Sequence, residues 1–410
     1  MNKLRLKINT DWFLTLLLII IGSHASWLAV SDVTLVLFVV IASYFYIKRG
    51  FNLNYEALVF LLFYFLLLVW YFIDFGWFNF TSSMRLLLKI FLGYIIVKQV
   101  GVKLIFNYED IVYKLVVISL FFYVIQLINY DIVFDITSIF EKIFPYLKYR
   151  GDKFANIWIF TVNNSANYEH WYRNSGFAWE PKGFANYIFI ALIFNFFKQK
   201  KYNLKNKRGH VYFIAMLTTF STTGYLLLIV YTFVLIANLK SFMIRALSLI
   251  ITIILSLSIF LGSSLLYKKI INEIEMTDKL TSYVEMQGDS EERKSLGRFG
   301  SLAVDFNDFM KRPFFGVGMQ EEERTQGVFI QIVRVNGFSD LLSRFGICGI
   351  IFVFLSYYIS FKHITAICRT RGSAIVTVGF FVLSFGSAII LNPLFFALQF
   401  LFVTKKDQYV

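Results

Sequence analysis

The chain has 410 residues, 58% of them hydrophobic and 16% charged, with a formal net charge of +14. A soluble domain carries roughly 25% charged residues, so this length does not translate into two or three soluble domains. The composition excludes a soluble Rossmann or barrel enzyme, a disulfide scaffold and a disordered regulator, and the 49 Phe, 24 Tyr and 7 Trp suit lipid-facing and interfacial surface.

Apolar runs of about twenty residues, enough to cross a ~30 Å hydrocarbon core as helix, recur from residue 12 almost to the end. They predict an all-α, polytopic membrane protein in which residues 1–410 form a single integral membrane domain. The expected spans are 12–30, 33–48, 55–73, 86–99, 111–130, 180–198, 210–221, 223–239, 244–265, 341–361, 374–391 and 393–403. Twelve crossings put both termini in the cytoplasm. Asn392-Pro393 can equally be a kink within one long helix, which gives eleven, while Lys405 and Lys406 favour twelve. The first run follows a basic start, and an uncleaved first helix preserves the alternation of charge along the chain.

The basic residues do not form the face of a nucleic-acid binder. They cluster in short connections between spans, as in Lys48 and Arg49, Lys98 and Lys103, the run Lys198 to Arg208, Lys240 and Arg245, and Lys362, Arg369 and Arg371. By the positive-inside rule these connections are cytoplasmic. Two long polar segments, 131–178 and 266–340, carry acid and base in near balance and are expected on the outer face of the cytoplasmic membrane. In the first, 132–147 reads as a helix lying on the membrane surface. In the second, Arg298 to Met310 places Phe299, Leu302, Ala303, Phe306, Phe309 and Met310 on one face at a 3.6-residue period, predicting a helix that packs its apolar side down over the bundle. Pro313 and the glycines of Phe314-Phe315-Gly316-Val317-Gly318 then turn the chain.

The sequence contains no HExxH, no paired CxxC and no P-loop, and its four histidines are scattered, so neither a metal nor another cofactor is expected. Acidic residues are almost absent from the spans, and Lys89 and Lys114 read as snorkelling cations. The polar chemistry lies on the outer face, in three places. The first is Arg173-Asn174-Ser175-Gly176-Phe177-Ala178-Trp179-Glu180-Pro181, which enters the sixth span with proline at the first helical position and Glu180 at the positive end of the helix dipole. The second is Ser221-Thr222-Thr223-Gly224, a hairpin between two spans that suits the floor of an outward-facing pocket. The third is Arg298 with the helix after it, followed by Arg334-Val335-Asn336 before the tenth span. Several arginines converging above a membrane cavity point to a pyrophosphate, because a planar, permanently charged fork matches phosphate oxygens.

This order of features, with Phe338-Ser339-Asp340-Leu341-Leu342-Ser343-Arg344-Phe345-Gly346-Ile347 after Asn336, resembles the O-antigen polymerase and ligase superfamily, Wzy-type polymerases in particular. The resemblance covers residues 170–350. It implies a metal-independent glycosyltransferase of the GT-C kind that uses undecaprenyl-pyrophosphate-linked oligosaccharides at the outer face of the cytoplasmic membrane. The chain departs from the pattern in having Lys182 after Glu180-Pro181, where many members have serine, and Val335 and Asn336 where ligases carry a histidine. An Arg-x10-Gly pattern of some polymerases is met only approximately, by Arg334 and Gly346.

On this reading Arg173 and Arg298 bind the pyrophosphate, Glu180 accepts the acceptor's proton or holds an arginine in place, and Lys182, Ser221, Thr222, Thr223, Arg334 and Asn336 contribute to substrate binding. Trp158, Trp171, Tyr172 and Trp179 offer either sugar platforms or an interfacial belt. The expected partners are the lipid-linked oligosaccharide, membrane lipid and a chain-length regulator protein, with no nucleic acid. The rivals are a ligase acting on lipid A core and, in another class, a polysaccharide-lipid flippase.

Overall fold

In the computed structural model the residues described are 9–50, 55–77, 79–143, 154–156, 158–163, 172–200, 205–239, 241, 243–252, 294–295, 298–320, 323–324 and 332–405. Trp171, Lys406, the end of the expected span 244–265 and most of the second long segment before Arg298 lie outside them.

The described residues are mostly helical, as their apolar periodicity predicts. The helices are α1 (Thr10–Ser23), α2 (Trp27–Val30), α3 (Asp32–Lys48), α4 (Tyr55–Phe75), α5 (Phe80–Val100), α6 (Lys103–Ile128) and α7 (Tyr130–Ile143). After the first polar segment come α8 (Pro181–Gln199), α9 (Lys207–Thr218), α10 (Thr222–Ala237) and α11 (Met243–Thr252). The last group is α12 (Arg298–Lys311), α13 (Gly337–Cys368), α14 (Ser373–Gly386) and α15 (Pro393–Gln399). Among the described residues four helices are long and apolar enough to cross a membrane, within α4, α5, α6 and α13, and four shorter apolar helices accompany them. The only strands among the described residues are two short pairs, antiparallel β1 (Phe154–Asn156) with β2 (Thr161–Asn163), and parallel β3 (Lys294–Ser295) with β4 (Ile332–Val333).

Charged side chains collect where helix ends meet. Asp11 at the start of α1 pairs with Arg49 after α3 at 2.8 Å and with Lys103 at the start of α6 at 3.6 Å. The fully buried Glu109 of α6 takes Lys198 from the end of α8 at 3.2 Å and Arg208 from the start of α9 at 2.8 Å. Helices that begin and end at one level are antiparallel neighbours, so this basic level joins the ends of α1, α3, α6, α8 and α9.

Three expectations are corrected. The apolar run 12–30 is not one helix: α1 stops at Ser23, His24 adopts a left-handed conformation (φ 53°), and α2 restarts three residues later. The span expected at 341–361 is longer, and it breaks inside at Gly346 (φ 61°, ψ −165°). The amphipathic helix of the second segment is present as α12, but it is turned over. Its Asp305 (0% exposed) and Asp308 (1%) face inward, while Phe306 (47%), Met310 (61%) and the following Phe314 (66%) face outward. The physical reason is charge pairing: buried Asp305 is matched by Arg324 and Arg334, and buried Asp308 by Arg334. Of the helix expected at 132–147, α7 covers the part up to Ile143, packed against the β1–β2 hairpin through Val133, Phe160 and Val162, and 144–147 lie outside the described residues.

The break in α13 is held open by the Pro313–Gly318 turn. The Val317 N–H donates to the Ser343 carbonyl (3.0 Å) and the Gly318 N–H to that of Arg344 (2.6 Å), while the N–H groups of Ile347 and Cys348 donate back to Pro313 (2.9 Å) and Phe314 (3.2 Å). The Tyr71 hydroxyl of α4 donates to the Phe315 carbonyl (2.7 Å) beneath the turn. Backbone groups freed by a break in apolar surroundings need such partners. A Cβ on Gly346 would lie 2.3 Å from the Phe314 carbonyl oxygen, at a φ that L-residues avoid. Gly346→Ala is expected to destabilise the protein by on the order of 3 kcal/mol, combining strain and clash. Thermal unfolding in detergent would show this as a lowered Tm, and an unchanged Tm would refute the assignment.

Candidate functional site: a cationic cavity at the helix break

A cavity of about 330 Å³ is lined by His24, Lys89, Met319, Arg324, Arg334, Asp340, Arg344, Ala388, Leu391 and Asn392. Its volume falls within the range of small-molecule sites, roughly 300–1,000 Å³. Four cations and one carboxylate line it, and Asp305 and Asp308 stand behind the arginines, so the cations are in excess by one.

Each cation arrives by a different route. Lys89 projects from the middle of α5, nine residues after Phe80, and lines the cavity. Arg344 sits two residues before the break in α13, where its Nε donates to Asp340 one turn earlier at 3.0 Å. Arg334 follows β4, which β3 fixes next to the start of α12. Arg334 donates to Asp308 at 2.8 Å and also to Asp305. Arg324, only 4% exposed at its side chain, donates to Asp340 (2.7 Å), Asp305 (2.8 Å) and the Ser343 hydroxyl (2.7 Å). The Ser339 hydroxyl completes the cage by donating to Asp305 at 2.6 Å.

Burial pushes the Asp305 carboxyl above the usual carboxylate range, with Arg324 and Arg334 pulling the other way, and burial lowers the Arg324 guanidinium below its ordinary value. Desolvation is therefore the largest influence on both groups, and a network of this kind fixes positions more than it stabilises the fold. Two buried donors in the wall, Arg324 Nε and Asn392 Nδ2, have no hydrogen-bond partner within the protein. Unmatched donors beside a surplus of cations suit an oxyanion ligand.

Opposite the arginines, the wall is irregular backbone between α14 and α15, residues 387–392. It is crossed closely by three other elements. Asn186 of α8 donates to the Ser387 hydroxyl (3.0 Å), a Cβ on Gly337 would meet the Ser387 carbonyl at 2.3 Å, and His24 Nε2 lies 2.8 Å from Asn392 Oδ1. Non-helical backbone at this depth is tolerated where it lines a cavity.

Of the residues singled out from the sequence, Arg334 lies in this cavity. Arg173 and the Ser221-Thr222-Thr223 hairpin are brought to each other. Arg173 Nε donates to the Thr219 carbonyl (3.1 Å), and Asn174 is clamped on Thr218 by two hydrogen bonds of 3.0 and 3.1 Å. Gly176 permits this, because a Cβ there would fall 2.4 Å from the ring of Phe184. The Ser221 side chain caps α10 by accepting from the Gly224 N–H, Thr222 is the first residue of α10, and buried Thr223 packs on Gly386. Glu180 precedes Pro181 at the start of α8 as expected and pairs with Lys182 at 3.1 Å. The Trp179 N–H donates to the Ser23 carbonyl (3.2 Å), bringing this segment alongside His24.

Arg298 opens α12 outside the cavity lining, and its carbonyl accepts from Asn336 Nδ2 at 3.4 Å. Asn336 is fully buried and caps α13, accepting from the N–H groups of Phe338 and Ser339, so its visible role is structural. Tyr172 stacks on Tyr130 with ring centroids 4.9 Å apart. His24, Lys89, Arg324 and Arg344 were missed as site residues. For Asp340 and Arg344 a signal existed, an i,i+4 ion pair at the mouth of an apolar helix. For Arg324, in the acidic run Gln320-Glu321-Glu322-Glu323, there was none.

Among the described residues no group of three or more His, Cys, Asp or Glu is arranged to hold a metal ion. Compared with protein-family models, with curated proteins and with solved structures, the chain matches none. The site belongs to a helical protein with helices long and apolar enough to cross a membrane, built around a cavity lined by cations at the point where a helix breaks.

Asp305 is the shared acceptor of the cage. Asp305→Ala leaves two nearly buried guanidinium groups short of a counter-charge and is expected to cost ~3–5 kcal/mol, whereas Lys311→Ala, which removes an exposed partner of Asp308, should cost less than ~1 kcal/mol. Thermal unfolding of the two variants side by side checks this, and equal effects would overturn the assignment.

Proposed function

We propose that the protein is a repeat-unit polymerase of the Wzy type, acting on undecaprenyl-pyrophosphate-linked oligosaccharides at the outer face of the cytoplasmic membrane. The observation that carries the reading is the cavity in which Lys89, Arg324, Arg334 and Arg344 converge beside unmatched donors. A pyrophosphate joined to a lipid is an anion anchored at membrane depth, and this cavity offers cations there. The twelve-span topology, with both termini cytoplasmic and both long segments outside, accords with the single basic level where α1, α3, α6, α8 and α9 meet.

In this reading a hydroxyl oxygen of one lipid-linked repeat attacks the anomeric carbon of the growing glycan. The new glycosidic bond forms as the bond to the pyrophosphate oxygen breaks, and undecaprenyl pyrophosphate leaves with the bonding pair. Charge grows on the leaving group, so Arg334, Arg344 and Lys89 stabilise the transition state more than the ground state. Arg173, Glu180 and Lys182 lie on the adjoining segment and serve the acceptor, with Glu180 orienting through its pair with Lys182. We assign the acceptor's proton to His24, the one imidazole in the lining. Arg298, beside Asn336, positions α12.

The purified protein, given a synthetic undecaprenyl-pyrophosphate repeat in nanodiscs, is expected to produce a ladder of glycan lengths. Arg344→Ala and Arg334→Ala should each lower the rate by roughly 10²–10³-fold while the protein still inserts. His24→Ala should flatten the pH dependence of the rate. Single transfer only to lipid A core would replace the polymerase with a ligase, and intact substrate that nevertheless crosses the bilayer would replace it with a flippase. Wild-type ladders from both arginine variants would discard the site.

A further inference from the structure

A second cationic cavity, of about 430 Å³, lies at the other end of α8 and is lined by Asn195, Lys198, Gln199, Lys205, Asn206, Lys207 and Arg208. From Pro181 to Lys198 the rise of α8 separates it from the first site by roughly 26 Å. Nothing in the proposed polymerase chemistry uses it.

The basic residues here do not simply dangle in water. Glu109, fully buried, holds Lys198 (3.2 Å), Arg208 (2.8 Å) and Asn195 Nδ2 (3.1 Å), and the Tyr212 hydroxyl donates to its carbonyl at 2.8 Å. Asn206, the cap of α9, donates to Asn195 Oδ1. The Arg208 guanidinium is held on three sides, by Glu109, by Asp110 at 3.1 Å and by the ring of Tyr113 at 4.5 Å. Those two ion pairs use two of the five N–H donors of the fork. Lys198 and Arg208 are thus pre-oriented around a recess by Glu109 and Asp110, with Lys205 and Lys207 on its exposed side.

We propose that this recess binds a phosphate anion, most directly the headgroup of an anionic membrane lipid. The lipid source is favoured by α9 itself. Beyond its basic start, Phe213, Ile214 and Leu217 are exposed along the same helix, so a headgroup at Lys207 and Arg208 has an apolar track beside it for an acyl chain. Basic recesses between helices at the basic end of a membrane protein suit such headgroups, and each lysine near the surface contributes to the attraction.

The experiment uses the full-length protein in detergent, with phosphatidylglycerol, phosphatidylcholine or inorganic phosphate added, read by native mass spectrometry and thermal unfolding. Phosphatidylglycerol is expected to be retained in preference to phosphatidylcholine and to raise Tm. The exposed pair Lys205→Ala/Lys207→Ala, with an unchanged gel-filtration profile, should lose that retention by about 25-fold, at ~5-fold per lysine. Stabilisation by inorganic phosphate alone, abolished in the double variant, would keep the phosphate site and assign it to a free anion. Equal retention of the two lipids with no effect of phosphate, or wild-type retention by the double variant, would overturn the proposal. None of these outcomes depends on glycan synthesis, so they stand apart from the fate of the polymerase reading.

Discussion

A helix that breaks in apolar surroundings must find partners for the carbonyl groups it releases, and the cationic cavity is built on that requirement. At Gly346 the ladder of α13 is interrupted, and the carbonyls of Ser343 and Arg344 are taken by the N–H groups of Val317 and Gly318. The two strands of this exchange are locked by glycines with positive φ, at 316, 318 and 346, where a side chain would collide with backbone or with Tyr71. Because the break fixes the backbone at Arg344, it fixes the pair with Asp340. Through Asp340 it also fixes Arg324. A single local interruption therefore sets the geometry of most of the charges around the cavity.

Those charges are organised in two tiers. Lys89, Arg324, Arg334 and Arg344 face the cavity, and Asp305, Asp308 and Asp340 stand against them. Burying the acids is costly, and their attraction to the bases returns that cost only when geometry is tight. What the arrangement secures is orientation. Long arginine side chains that would otherwise sample many rotamers are held in one place before any ligand arrives, which reduces the ordering that binding would otherwise demand. Preorganised positive charge is also the form in which electrostatic stabilisation of a departing anion is most effective.

Much of the architecture was legible in the sequence, because helix-length apolar runs and capping residues are local signals. Glu180 and Pro181 at the start of α8, the amphipathic α7 and the turn at Pro313 are where their residue types put them. The errors came from pairing between residues far apart in the sequence. The period of Phe299, Phe306 and Met310 was read correctly, yet the apolar face does not turn inward, because Asp305 and Asp308 are drawn there by Arg324 and Arg334. His24 interrupts a run with no proline or glycine at the break itself, and so left little local mark. Of the residues singled out from the sequence, Arg334 alone lines the cavity, whereas Arg324 and Lys89 reach it only through long-range packing that no spacing encodes.

The inverted α12 has one further consequence. Its acids grip Arg324 and Arg334 on one side, while Phe306, Met310 and nearby Phe314 rest against the surroundings on the other. A helix exposed on its apolar side and held on the other by charge pairs has its position set by those pairs. Any force on that exposed apolar face is therefore passed to the two guanidinium groups of the cavity.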